Sequence, residues 1–212
     1  MSATASREVL SETFWAAEGA GLWVKRAVLV AAGVGALTLA AQTKVPVWPS
    51  PVAVSLGTFA VLTLGVAYGP RLGLVTLLAW LGLGAAGFNV FQNTASGVTG
   101  LAYMMGATGG YLVGYLLAVL ALGWAARRGL DRSVGGMALA LIAGNVLLYV
   151  PGLAWLHHLV ATGLFDPAKY ASAWDQTLAW GLTPFLIGDL LKLGLAALVV
   201  PGLWKLVGAA RA

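Results

Sequence analysis

The chain has 212 residues, 60% of them hydrophobic and only 9% charged, with a mean hydropathy of +0.89. Soluble domains carry about 25% charged residues, so the composition points to an all-α integral membrane protein. With no cysteine, disulfides, thiol catalysis and cysteine metal sites are excluded; two histidines are too few for a histidine metal cluster, and the +5 charge is scattered among apolar runs, which speaks against nucleic acid.

Residues 1–24 read as a leader with three glutamates, Glu8, Glu12 and Glu18. Residues 6–17 alternate polar and apolar positions and are expected to form a short amphipathic helix on the cytoplasmic surface. A cleaved signal peptide fits poorly, because its charged region would be unusually long and acidic and five more spans would follow. Residues 25–212 are expected to form one transmembrane domain.

A membrane-crossing helix needs roughly 20 mostly apolar residues. Six segments answer that description: 27–41, 52–68, 72–88, 106–126, 136–159 and 178–203. "GPR" at 69–71 divides the second from the third, both of which are short, and the uncharged stretch "NVFQNTASGVTG" follows the third.

A bundle of six transmembrane helices puts both termini on one side. That side holds Arg7, Lys25, Arg26, Arg71, Arg127, Arg128, Arg132, Lys205 and Arg211, against Lys44 and Lys169 opposite. Basic residues favour the cytoplasmic face, so both termini are expected to be cytoplasmic.

Within the spans, Ala32, Ala36 and Ala40 recur every fourth residue, with Ala27, Ala31 and Gly35 beside them. Small residues at this spacing admit a close helix, either one of the chain's own or a partner's. "GLGAAG" at 82–87 matches a dinucleotide-binding pattern, but it ends an apolar helix instead of following a strand, so close packing accounts for it better. No phosphate-binding loop, zinc-protease motif or hydrolase elbow occurs, and the chain has no usual apparatus for ATP hydrolysis. His157 and His158, beside Trp155, read as interfacial residues.

"TPFLIGDLLKLGLAALVVPGLW" at 183–204 is different, because Asp189 and Lys192 interrupt an apolar run. Three residues apart, they share a helical face. If the helix enters at Trp180, Asp189 lies about 14 Å inside, at ~1.5 Å per residue. Ionisable groups within a membrane are costly and are functional candidates by default. Asn145, with Tyr149 one turn later, adds a neutral polar group on the fifth span.

These segments together resemble the BioY family, the biotin-capturing subunits of energy-coupling-factor (ECF) transporters. "GDLLK" at 188–192 is similar to the family's final-helix motif. "KVPVWPSPVAVSLGTFAVLTLG", "YGPRLG", "GATGGYLVGY" and the "GN…Y…G..WL" pattern at 144–156 resemble further family segments in the same order. Gly57 stands where the family commonly has glutamine, Ala107 where it has proline, and "FNVFQN" replaces a typical loop.

The resemblance implies a multi-pass protein of the bacterial cytoplasmic membrane that binds biotin from outside and needs no cofactor. Its implied partners are a transmembrane coupling subunit and ATP-binding-cassette ATPases, with Ala32, Ala36 and Ala40 at the coupling surface. Asp189 would then accept from the ureido N–H groups and Lys192 would donate to the ureido oxygen or hold the aspartate charged. Asn145 would add a contact, Phe91, Tyr111 and Tyr149 would clasp the rings, and the loop 89–105 would serve as a lid. The rival class is a stand-alone gradient-driven secondary transporter in which Asp189 takes up a proton. Lys192, one turn away, speaks against it by holding the acid ionised.

Overall fold

The protein is described by a computed structural model covering residues 8–13, 19–45, 48, 54–92 and 97–210. The helices are α1 (Leu10–Thr13), α2 (Ala20–Gln42), α3 (Gly57–Ala85), α4 (Gly100–Met104), α5 (Gly109–Arg127), α6 (Val134–Leu159), α7 (Ala173–Gly181) and α8 (Leu186–Ala210). Two short strands, β1 (Lys44–Val45) and β2 (Val54–Ser55), pair antiparallel between α2 and α3. Five helical segments among the described residues are long and apolar enough to cross a membrane.

One of those five, α3, is not a single rod. Gly69 takes φ 74° and ψ 177°, a conformation essentially confined to glycine, and Pro70 follows it. The two arms fold back on each other: a Cβ added at Gly73 would lie 3.6 Å from the Cα of Gly65. Eight residues apart on a straight helix they would be about 12 Å apart. The expected break at 69–71 is therefore present, and the arm before it is short because β2 takes up residues 54–55.

The final span departs from expectation. In place of one helix over 178–203 there are two, α7 and α8, joined by a turn at 182–185. Pro184 in that turn has no N–H with which to continue the α7 ladder. Asp189 thus lies in the first turn of α8, about 5 Å along its axis and not deep within a continuous rod. The positive end of the helix dipole favours a carboxylate there.

Among the described residues, Lys25, Arg26, Arg71, Arg127 and Arg128 gather at one end of the bundle. Arg127 donates to both carboxylate oxygens of Glu12 in α1, one of the bonds being 2.7 Å. Arg132 lies 4.1 Å over the Trp204 ring, whose Nε1 donates to Asp131 at 2.6 Å. Val9 and Leu10 bury in the same core cluster as Val66, Leu122 and Ala126, so α1 and the residue before it are packed into the bundle. The rest of the amphipathic segment expected at 6–17 lies outside the described residues.

On α2, Gly33, Leu37 and Ala41 face inward, whereas Ala32 and Ala36 are exposed and Ala40 is half-buried. The small-residue stripe therefore points away from the bundle. Helices α5 and α6 approach more closely than any side chain at Gly114 would allow, since a Cβ there would sit 2.7 Å from the Cα of Leu148.

Candidate functional site

A cavity lies between α3, α5, α6, the α7–α8 turn and the loop after α3. Asp189 and Lys192 form its polar floor. Asp189 is 5% exposed, and its carboxylate receives two hydrogen bonds, one to each oxygen. Lys192 Nζ donates to Oδ1 at 3.1 Å, and the Tyr149 hydroxyl donates to Oδ2 at 2.6 Å. A carboxylate offers about four acceptor positions, so each oxygen keeps capacity for another donor.

The walls are aromatic. Tyr111 meets Tyr149 edge-on with ring centroids 6.1 Å apart, and its hydroxyl is fixed by a 2.8 Å bond to the Gly181 carbonyl. Phe91 packs edge-on to Trp80 at 4.8 Å and stacks on Tyr103 at 5.0 Å. The Phe91 ring lies over Gly84, where any side chain would collide with it. That gives the "GLGAAG" segment its meaning: the middle glycine seats the roof of the cavity, while Gly82 and Gly87 have nothing within 4 Å of a would-be Cβ.

The loop carrying Phe91 is anchored from α2. Gln42 Nε2 donates to the Phe91 carbonyl at 2.6 Å and to the Asn89 carbonyl at 3.2 Å. Residues 93–96 of the expected lid lie outside the described residues, and its last third is α4. At about 70 Å³ the cavity is far smaller than the roughly 300–1,000 Å³ of pockets for drug-sized ligands.

Of the expected contacts, Asp189, Lys192, Tyr149, Tyr111 and Phe91 all line this cavity. Asn145 does not. The α6 wall ends at Leu148 and Tyr149, and Asn145 lies four residues, or about 6 Å, further along the axis. Its Oδ1 is buried without a hydrogen-bond partner among the described residues.

The structure adds Trp80, Gln92, Tyr115 and Phe185 to the walls. Trp80 is notable because its indole N–H is buried and unpartnered among the described residues. Tyr115 was legible in sequence, one turn beyond Tyr111 on the same face; Trp80, in an apolar run, carried no such signal. His157 stacks on Trp174 at 3.8 Å with Thr177 beside it, apart from the cavity.

Comparison with known proteins now bears on this geometry. A profile described as the BioY family matches residues 8–209. The chain belongs to the BioY family. It is 28% identical over 180 residues to the biotin transporter BioY of Thermotoga maritima, covering 84% of this chain and 96% of that protein. To the probable biotin transporter BioY of Pyrococcus horikoshii it is 29% identical over 175 residues, 82% and 93% of the two chains. To the biotin transporter BioY of Rhizobium etli the figures are 31% over 156 residues, 70% and 76%. BioY relatives carry transporter names, and the chain is accordingly a transport protein and not an enzyme. Its fold matches a crystal structure of the S-component for biotin from an ECF-type ABC transporter, with a TM-score of 0.70 over 89% of this chain and 95% of that one. At 22% identity that likeness is one of fold.

Proposed function

We propose that this protein captures biotin from the outer face of the cytoplasmic membrane as the substrate-specific subunit of an ECF-type transporter. The observation that carries the reading is the buried Tyr149–Asp189–Lys192 group beneath an aromatic roof. Biotin presents a flat ureido ring with two N–H donors and one acceptor, a thioether ring and an aliphatic tail. Asp189 accepts from the ureido N–H groups with the capacity left on its oxygens, and Tyr149 and Lys192 fix the carboxylate in place. Charge-assisted bonds of this kind are the strong ones. Trp80, Phe91 and Tyr111 cover the apolar rings, and closing the roof over them excludes water and strengthens the bonds below.

In this reading the chain crosses the membrane six times, the two arms of α3 counting as separate crossings, with both termini in the cytoplasm. Residues 25–212 form the single transmembrane domain and 1–24 its cytoplasmic leader. The gathering of basic residues at one end of the bundle supports that orientation. Ala32 and Ala36, exposed on α2, and the half-buried Ala40 offer the coupling subunit a close-packing surface, and the associated ATPases supply the energy. The loop 89–105 acts as the lid. Purifying the full chain in detergent, denaturing it and identifying the released small molecule by mass spectrometry tests the reading; recovery of a different vitamin, or of nothing after incubation with biotin, would refute it.

A further inference from the structure

At the basic end of the bundle, outside the cavity, a groove of about 1800 Å³ runs between α1, α2, the second arm of α3 and the end of α5. Its rim carries the exposed cations Arg26, Arg71 and Arg128 beside Arg127 and the buried Lys25, and Glu12 is the single carboxylate among its described lining residues. That carboxylate is already engaged by Arg127. Two of the cations are held over indole rings at the rim, Arg26 at 5.5 Å from the Trp23 ring and Arg128 at 5.2 Å from the Trp124 ring. Away from the rim the groove is walled by Leu29, Val34, Leu72, Val75 and Ala79. These residues belong to apolar helices long enough to cross a membrane.

We propose that this groove binds one anionic phospholipid, its phosphate among the rim cations and its acyl chains along the apolar walls. Clustered basic residues at the membrane end of a helix bundle suit lipid headgroups, but basic residues at a membrane boundary are common. What distinguishes this set is its amphiphilic continuation. The side chains of Arg26, Arg71 and Arg128 are exposed at the rim, and the walls below them are mainly apolar, with the Tyr68 hydroxyl already donating to the Leu29 carbonyl. Tryptophans beside the rim are at home at the headgroup level. A zwitterionic lipid would match the walls but bring its own cation against the rim, and inorganic phosphate would match the rim but leave the walls uncovered. The proposal does not depend on which molecule enters the central cavity.

The test is native mass spectrometry of the full chain in detergent, titrated in separate arms with dioleoyl phosphatidylglycerol, dioleoyl phosphatidylcholine and inorganic phosphate. The parent should retain one phosphatidylglycerol preferentially. The R71Q/R128Q double variant, which leaves the Glu12–Arg127 pair in place, should bind it more weakly by roughly fivefold per cation removed, about 30-fold together. K169Q/K205Q, which removes the same charge outside the groove, should bind like the parent, and melting of each variant in lipid-free detergent checks folding. Equal retention of phosphatidylcholine, saturation by inorganic phosphate alone, or an unchanged R71Q/R128Q would each overturn the proposal. So would an R71Q/R128Q that keeps the lipid but no longer copurifies with a coupling subunit, which would make the groove a protein-docking face.

Discussion

The Tyr149 hydroxyl and the Asp189 carboxylate meet at 2.6 Å, joining α6 to the first turn of α8 at the floor of the cavity. Lys192 holds the other carboxylate oxygen from within α8, so the acid is braced from two helices. Hydrogen bonds to charged groups contribute about 1.5–3 kcal/mol each. Tyr149→Phe is therefore expected to weaken biotin binding about tenfold in calorimetry. An unchanged affinity would remove Tyr149 from the site.

Asp189→Asn and Lys192→Ala each leave a buried polar partner unmet and should lower affinity by at least tenfold. The protein should still purify as a folded species, read by its far-ultraviolet circular dichroism. Wild-type affinity in both variants would contradict the proposed role of the pair.

Trp80→Phe separates two effects. The indole N–H, unpartnered among the described residues, carries a desolvation penalty without ligand, so its removal should leave the melting temperature of the ligand-free protein unchanged or raised. If a ligand acceptor meets that N–H, affinity should fall severalfold in the same variant. Equal affinity in parent and variant would show that the indole only packs.

Those residues also mark what could be seen in the sequence. Asp189 and Lys192 stand out because charge is conspicuous in an apolar run, and Gly69-Pro70 because that pair ends helices. Basic residues at the ends of the predicted spans were likewise visible, and among the described residues Lys25, Arg26, Arg71, Arg127 and Arg128 line one groove. Trp80 and Phe185 gave no such contrast, since an aromatic lining a cavity reads the same as one facing lipid. Asn145 is the opposite case: helical spacing puts it on the Tyr149 face, but spacing does not say where a cavity stops along the axis. The division of the last span into α7 and α8 turned on Pro184, outweighed in the sequence by the surrounding hydrophobicity.

Gly84→Val would drive a side chain into the Phe91 ring. Overpacking of this kind costs about 1–3 kcal/mol. The expected result is a lower melting temperature together with weakened ligand retention, because the roof is displaced along with the packing. A fall in stability with unaltered dissociation kinetics would mean that Phe91 does not close the cavity.

The Glu12–Arg127 pair supplies a pH dependence. Burial alone would push the Glu12 carboxyl up, but Arg127, the Val9 amide and Lys25 together hold it below its ordinary value. A depressed folded-state pKa stabilises above the unfolded-state value and is lost as pH falls through the folded one. Glu12→Gln should thus lower the melting temperature slightly at neutral pH, by the few tenths to about 1 kcal/mol of a half-exposed pair. The difference should close on acidification below the ordinary carboxylate range; one that persists there would assign the stabilisation to packing of α1.

Helix α2 turns Ala32 and Ala36 outward and ends on the glutamine that grips the loop above the cavity. A stiff rod displaced at one station moves at every other, and Gln42 carries the carbonyl of Phe91 with it. A protein pressing on those alanines would have a handle on the door of the chamber, so that docking and unloading become strokes of a single lever.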